Sequence, residues 1–118
     1  MEDLVKEIKQ IALLENEIGL LVRKIDFIEM EKQVRDDYCL FSIDQYLSYL
    51  KQKIEVQEDM LEALREEVLS IYSLTQLYIA YEQLSLQEYV NDKLDIIFVI
   101  FDLIDRKEMS IERGRENE

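Results

Sequence analysis

Three groups of side chains in this sequence have the types and spacing that chemistry could use. The first is a run of carboxylates, Glu55, Glu58, Asp59, Glu62, Glu66 and Glu67, followed downstream by Asp92 and Asp95. Carboxylates paired at i, i+3 on one helix and matched on a facing helix can hold a divalent cation for phosphoryl chemistry. Glu58, Glu62 and Glu66 also share one face at i, i+4, i+8, where like charges repel unless they are solvated or metal-bound. A solvated face is the ordinary origin of such a pattern. The second is Cys39, a lone thiol whose neighbours Asp36 and Asp37 would raise its pKa. That favours a small turn hydrophobe over a nucleophile. The third is the set of seven tyrosines at 38, 46, 49, 72, 78, 81 and 89. Tyrosine buries area while keeping a polar tip, which suits packing and interaction surfaces.

The missing residue types are more decisive. There is no His, so there is no imidazole base, no Ser-His or Cys-His pair and no His metal ligand. The same absence closes the diiron-carboxylate bundle, which needs Glu-x-x-His. One Cys excludes an internal disulfide or a thiolate cluster, and two Gly exclude a glycine-rich phosphate cradle. Twenty-seven acids against 14 bases give a net charge of −13, which opposes direct grip on a phosphate backbone. No catalytic, cofactor-binding or metal-binding residue is assigned, and no cofactor is expected.

Glu55-x-x-Glu58 and Asp92-x-x-Asp95 are similar to the paired acidic motifs of the all-helical nucleotide pyrophosphohydrolases. That resemblance implies a magnesium-dependent hydrolase. The chain departs from the pattern in carrying Asp for the usual Glu in the second motif. It also has a long intervening spacing and no Lys or Arg placed for phosphate, so the family is not assigned.

The elements that must position these groups are helices. No Pro and only Gly19 and Gly114 interrupt the chain, and 48 % hydrophobic residues support a packed core. Ile11, Leu14, Ile18, Leu21, Ile25 and Ile28 recur at spacings 3, 4, 3, 4, 3, a heptad seam that predicts a helix over about 2–35. Ser42-x-x-Gln45 reads as a capping box, with Phe41 and Tyr46 as its hydrophobic staple. From there Ile43, Leu47, Leu50, Ile54, Gln57, Leu61, Leu64, Val68, Ile71, Thr75 and Tyr78 keep one phase. They predict a continuous helix over 43–83, although Ser73-x-x-Gln76 is a second capping box. Gln57 and Thr75 are polar members that either fix register or mark an exposed seam. Ser85-x-x-Glu88 predicts a third helix over 86–107, with a main seam of Val90, Leu94, Ile97, Phe101 and Ile104. Residues 108–118 read as a charged, fraying tail.

The expected architecture is therefore all-α, a single domain over 1–107 built of three long antiparallel helices. Short connections force antiparallel neighbours, so one end closes into a three-helix bundle around Ile8, Ile11, Leu64, Val68, Ile97 and Phe101. Residues 18–60 are left as a two-helix prong, because the third helix is too short to reach them. A two-helix prong cannot bury a stripe that wide, so a partner is expected. The simplest partner is a second copy, completing a four-helix arrangement, and a heterologous protein is the alternative. Leu21, Ile25, Ile28, Tyr46, Leu50 and Ile54 are the expected interface.

The functional expectation is a non-enzymatic helical interaction module, such as a regulator, adaptor or assembly factor. An acidic inhibitor of phage type, mimicking nucleic acid at a basic protein site, is the alternative. The hydrolase reading comes third. The acidic start Met1-Glu2-Asp3 lacks the order of a signal peptide. The longest apolar-dense stretch, Leu94 to Ile104, spans about 11 residues against the roughly 20 a membrane span needs. A cytoplasmic location without membrane or nucleic-acid binding is expected.

Overall fold

With almost nothing to break the backbone, the described residues fold almost entirely into helices. The computed structural model describes residues 2–34, 40–87 and 93–116. Among them are four α-helices and no strand: α1 (Glu2–Val34), α2 (Leu40–Ile71), α3 (Leu74–Leu86) and α4 (Lys93–Glu116). The all-α class stands, while the count of three helices does not.

The expected continuous helix over 43–83 is interrupted at Tyr72 and Ser73. Ser73 takes an extended backbone (φ −80°, ψ 164°) as the N-cap of α3. Its Oγ accepts from the Gln76 amide at 3.2 Å, and its own amide donates to Gln76 Oε1 at 2.8 Å. The apolar phase runs through these residues almost unbroken, so periodicity could not reveal the break. The reciprocal cap satisfies two amides that a helix start would otherwise leave bare, which makes interruption cheap here. Ser73→Ala is expected to cost about 1 kcal/mol and to lower the melting temperature by about 5 °C, read by circular dichroism.

Three other boundaries are corrected. α2 begins at Leu40, so Ser42 lies in its first turn rather than at its cap. Leucine is a strong helix former, and neither Leu40 nor Phe41 supplies a stop. The segment 35–39, with Cys39, lies outside the described residues. Ser85 does not open a helix either, because α3 runs through it to Leu86 and its hydroxyl donates to the Glu82 carbonyl at 2.9 Å. Lys93 then donates to the Ser85 and Gln87 carbonyls at 2.8 and 2.7 Å, placing a cation at the negative end of α3. Glu88, Val90 and Asp92 lie outside the described residues. Finally, α4 continues past 107 to Glu116. It is tied down near 107 by Lys107 Nζ donating to the Leu69 carbonyl at 2.6 Å and by the Tyr78 hydroxyl donating to Glu108 at 2.9 Å.

The chain divides into two compact units, Met1–Leu13 with Ala63–Glu118, and Leu14–Glu62. In the first, Ile8 and Ile11 of α1, Val68 of α2, Leu77 and Leu84 of α3, and Ile100 and Leu103 of α4 are fully or almost fully buried. Ala80 is also buried, and α3 packs on α4. The expected α4 seam is rotated. Ile96, Val99, Ile100, Leu103 and Ile104 are buried, whereas Leu94 and Phe98 are exposed and Phe101 is 42 % exposed. Phe101 instead meets the Tyr81 ring at 5.2 Å. Of the expected core set, Leu64 and Ile97 are only half-buried. The reason is the placement of Asp95, Asp102 and Asp105. At 100° per residue they share the helix face of Phe98, so burying the expected face would strip water from carboxylates.

Candidate interaction surface

The second unit is built from the end of α1 and the start of α2. Ile25, Leu47 and Leu50 are buried between them, with Leu21, Ile28, Ile43 and Ile54 packed against that cluster. Lys32 pairs with Asp44, and Lys51 with Glu29 at 3.4 Å, so the two segments run antiparallel within this unit. Both ion pairs are exposed enough to contribute little beyond registering the helices.

Five of the six residues expected at the interface, Leu21, Ile25, Ile28, Leu50 and Ile54, lie in this inner seam. Tyr46 alone is turned outward, 43 % exposed, with its ring stacked on Tyr49 at a centroid distance of 6.4 Å and an angle of 25°. The exposed apolar surface of the unit comes from other residues. Leu20, Val22, Phe27, Met30 and Val34 of α1 and Tyr49, Val56 and Met60 of α2 all stay exposed, Phe27 at 64 %. Phe27, Ile28, Glu31, Ser42, Ile43 and Tyr46 line an open cavity of about 250 Å³. That is room for one large apolar side chain flanked by a carboxylate. A sequence signal for this surface existed: Tyr46, Tyr49, Lys53, Val56 and Met60 follow a second heptad phase on α2 at spacings 3, 4, 3, 4. The stronger first phase concealed it.

The polar seam residues part company. Thr75 is exposed on α3, whereas Gln57 is half-buried and its Oε1 has no hydrogen-bond partner. An orphaned buried carbonyl is destabilising, so Gln57→Leu is expected to add about 1 kcal/mol of stability, read by denaturant midpoint.

The acidic run does not converge. Glu55, Glu58, Asp59, Glu62, Glu66 and Glu67 are all exposed, and Asp92 lies outside the described residues. Among the described residues, no group of three or more His, Cys, Asp or Glu side chains is placed to hold a metal ion. Among the described residues, the one perturbed carboxylate is in the other unit. Burial pushes the Glu7 carboxyl up, and the charges of Glu67 and Asp3 push it further. Its Oε2 is buried without a hydrogen-bond partner. The folded state therefore holds a proton on Glu7 at pH values where the unfolded chain has lost it. The stabilisation is fully present below the ordinary carboxylate range and is lost as pH rises through the raised pKa. Glu7→Gln is expected to raise the melting temperature at pH 7 by about 2 °C. It should also flatten the decline that sets in as pH rises above the ordinary carboxylate range, measured as melting curves against pH. The Tyr78 phenol is pushed up as well, first by its hydrogen bond to Glu108 and then by burial, so it remains a donor.

No helix among the described residues is long and apolar enough to cross a membrane. The chain matches no protein-family model, and neither a curated protein nor a solved structure is similar to it.

Proposed function

We propose that this protein is a non-enzymatic interaction module whose 14–62 hairpin docks a second protein chain. The observation that carries this reading is the large apolar side chains that stay exposed once the hairpin's own seam is filled, Phe27, Tyr46 and Tyr49 chief among them. Apolar residues massed on one small element belong to contact surfaces rather than to ordinary solvent-facing helices. The cavity beside Phe27 and Tyr46 is the size of an anchor residue, and interfaces concentrate their energy at such pockets. A docked helix is the natural occupant of a two-helix groove. A second copy, giving a four-helix arrangement, is the simplest form of the complex. The inner seam residues Leu21, Ile25, Ile28, Leu50 and Ile54 hold the hairpin, and Tyr46 belongs to the contact itself.

The test is photo-crosslinking in the native host from an unnatural amino acid at position 46, compared with one at position 58 on the acidic face. Discrete adducts from position 46 and none from 58 are expected. Adducts only from position 58 would favour the acidic-inhibitor reading. That reading also predicts a complex that dissolves steeply with salt, whereas an apolar contact tolerates it. The absence of adducts from position 46 removes the proposal.

A further inference from the structure

The face of α1 turned away from its inner seam carries a seam of its own. Asn16, Leu20, Arg23, Phe27, Met30 and Val34 follow one another at spacings 4, 3, 4, 3, 4. That is the coiled-coil period, and all six residues are exposed. One flank of this seam is the heptad row Glu17, Lys24, Glu31, which alternates in sign, and the other flank holds Asp26 and Gln33. We propose that this face pairs with the same face of a second copy of the chain, antiparallel. Phe27 of each copy then lies against Met30 of the other, and Lys24 of each against Glu31 of the other. The inference rests on the reading of residues 14–62 as a docking hairpin, and it names the partner and the geometry.

Charge selects both. In an antiparallel pair each flank faces the same flank of the other helix, and flank charges set partner and orientation. Two-fold symmetry repeats every contact, so a single Lys24–Glu31 match becomes two. On the opposite flank Asp26 meets Gln33, whose amide can donate to it. Arg23 falls opposite Val34, where its stem can cover the apolar side chain while the guanidinium stays wet. A parallel pair would set Arg23 against Arg23 within the seam and Asp26 against Glu31 across the flank. Sliding the antiparallel pair until Lys24 meets Lys24 also opposes Asp26 with Asp26 and Glu17 with Glu31. Both of these alternatives cost like-charge contacts, which suppress wrong pairings, and a further slide that sets Lys24 against Glu17 opposes Phe27 with Asn16 and so loses the apolar layer. The chain thus carries the complement of its own exposed face.

The experiment is sedimentation velocity over a concentration series, with circular dichroism confirming that each variant keeps its helicity. The contact is short, so a Kd of about 10 µM is expected. Lys24→Glu alone and Glu31→Lys alone should each weaken dimerisation about tenfold. The double reversal, Lys24→Glu with Glu31→Lys, should restore it to within about threefold of the native chain. Phe27→Asp should abolish it. A chain that stays monomeric at about 100 µM, or a double reversal no better than either single one, overturns the proposal. A monomeric chain that still forms Tyr46 adducts with a different protein overturns self-pairing and leaves the docking reading intact.

Discussion

The variant Ile25→Asp with Leu50→Asp is expected to lose the helical structure of residues 14–34 and 40–62. Ile25 is 8 % exposed and Leu50 is 2 % exposed, and Leu47 completes the buried cluster. Truncating either side chain would already cost about 3 kcal/mol, and placing a carboxylate there adds the penalty of an unpaired buried charge. Together the substitutions exceed about 6 kcal/mol, comparable with the whole stability of a small unit. Hydrogen exchange resolved along the chain is the measurement, with protection lost across the inner seam. The matched control is Phe27→Asp with Tyr46→Asp, which charges two exposed positions and should leave protection in place. If the first pair exchanges like the native chain, the assignment of the inner seam is wrong. Both residues are expected from the sequence at an interface, and their burial in the inner seam makes the variant a test of the hairpin. Loss of a partner in that variant would say nothing about the contact surface, so the exposed pair is the informative one.

The second large effect is in the other unit. Leu103→Ala is expected to destabilise it by about 3 kcal/mol, because a fully buried leucine leaves a cavity that its neighbours fill only in part. That corresponds to a fall of roughly 15 °C in melting temperature. Phe98→Ala, on the same helix but 57 % exposed, should change it by less than about 3 °C. The contrast tests the rotation of α4 directly. Had the helix buried the face of Leu94 and Phe101, the ordering of the two effects would reverse.

Much of the local structure was legible because its causes are local. The 3–4 spacing through Ile11, Ile18 and Ile25 is a property of the helical repeat and needs no tertiary information. The Ser73 cap was visible as a pattern, but whether it would win was not. A capping box offers two hydrogen bonds, a continuous helix offers its own, and the difference depends on where α3 finds cover. Ser85 shows the converse. The same motif occurs there, yet its hydroxyl bonds back to Glu82 inside α3, an alternative open to any serine in a helix. α4 is apolar on nearly every side, so periodicity could not choose its buried face. The carboxylates Asp95, Asp102 and Asp105 could have, read as groups that must stay in water.

The candidate surface was half legible for a related reason. A seam predicts that apolar residues leave water, but not whether the same chain or another covers them. Leu21, Ile25, Ile28, Leu50 and Ile54 are apolar and expected at a partner, and within one chain α1 and α2 bury Ile25 and Leu50 and partly bury the other three. The weaker second phases, through Tyr46 and Val56 and through Phe27 and Met30, were the ones left exposed.

By itself, then, the sequence determined an all-α chain. It also removed every mechanism that needs a histidine, a thiolate pair or a glycine-rich loop, because those depend on residue type and helical period alone. The tertiary structure decided which seam is spent inside the molecule and which stays exposed. That choice is made by competition between faces for the same neighbouring helix, and a periodic pattern records each face without ranking them.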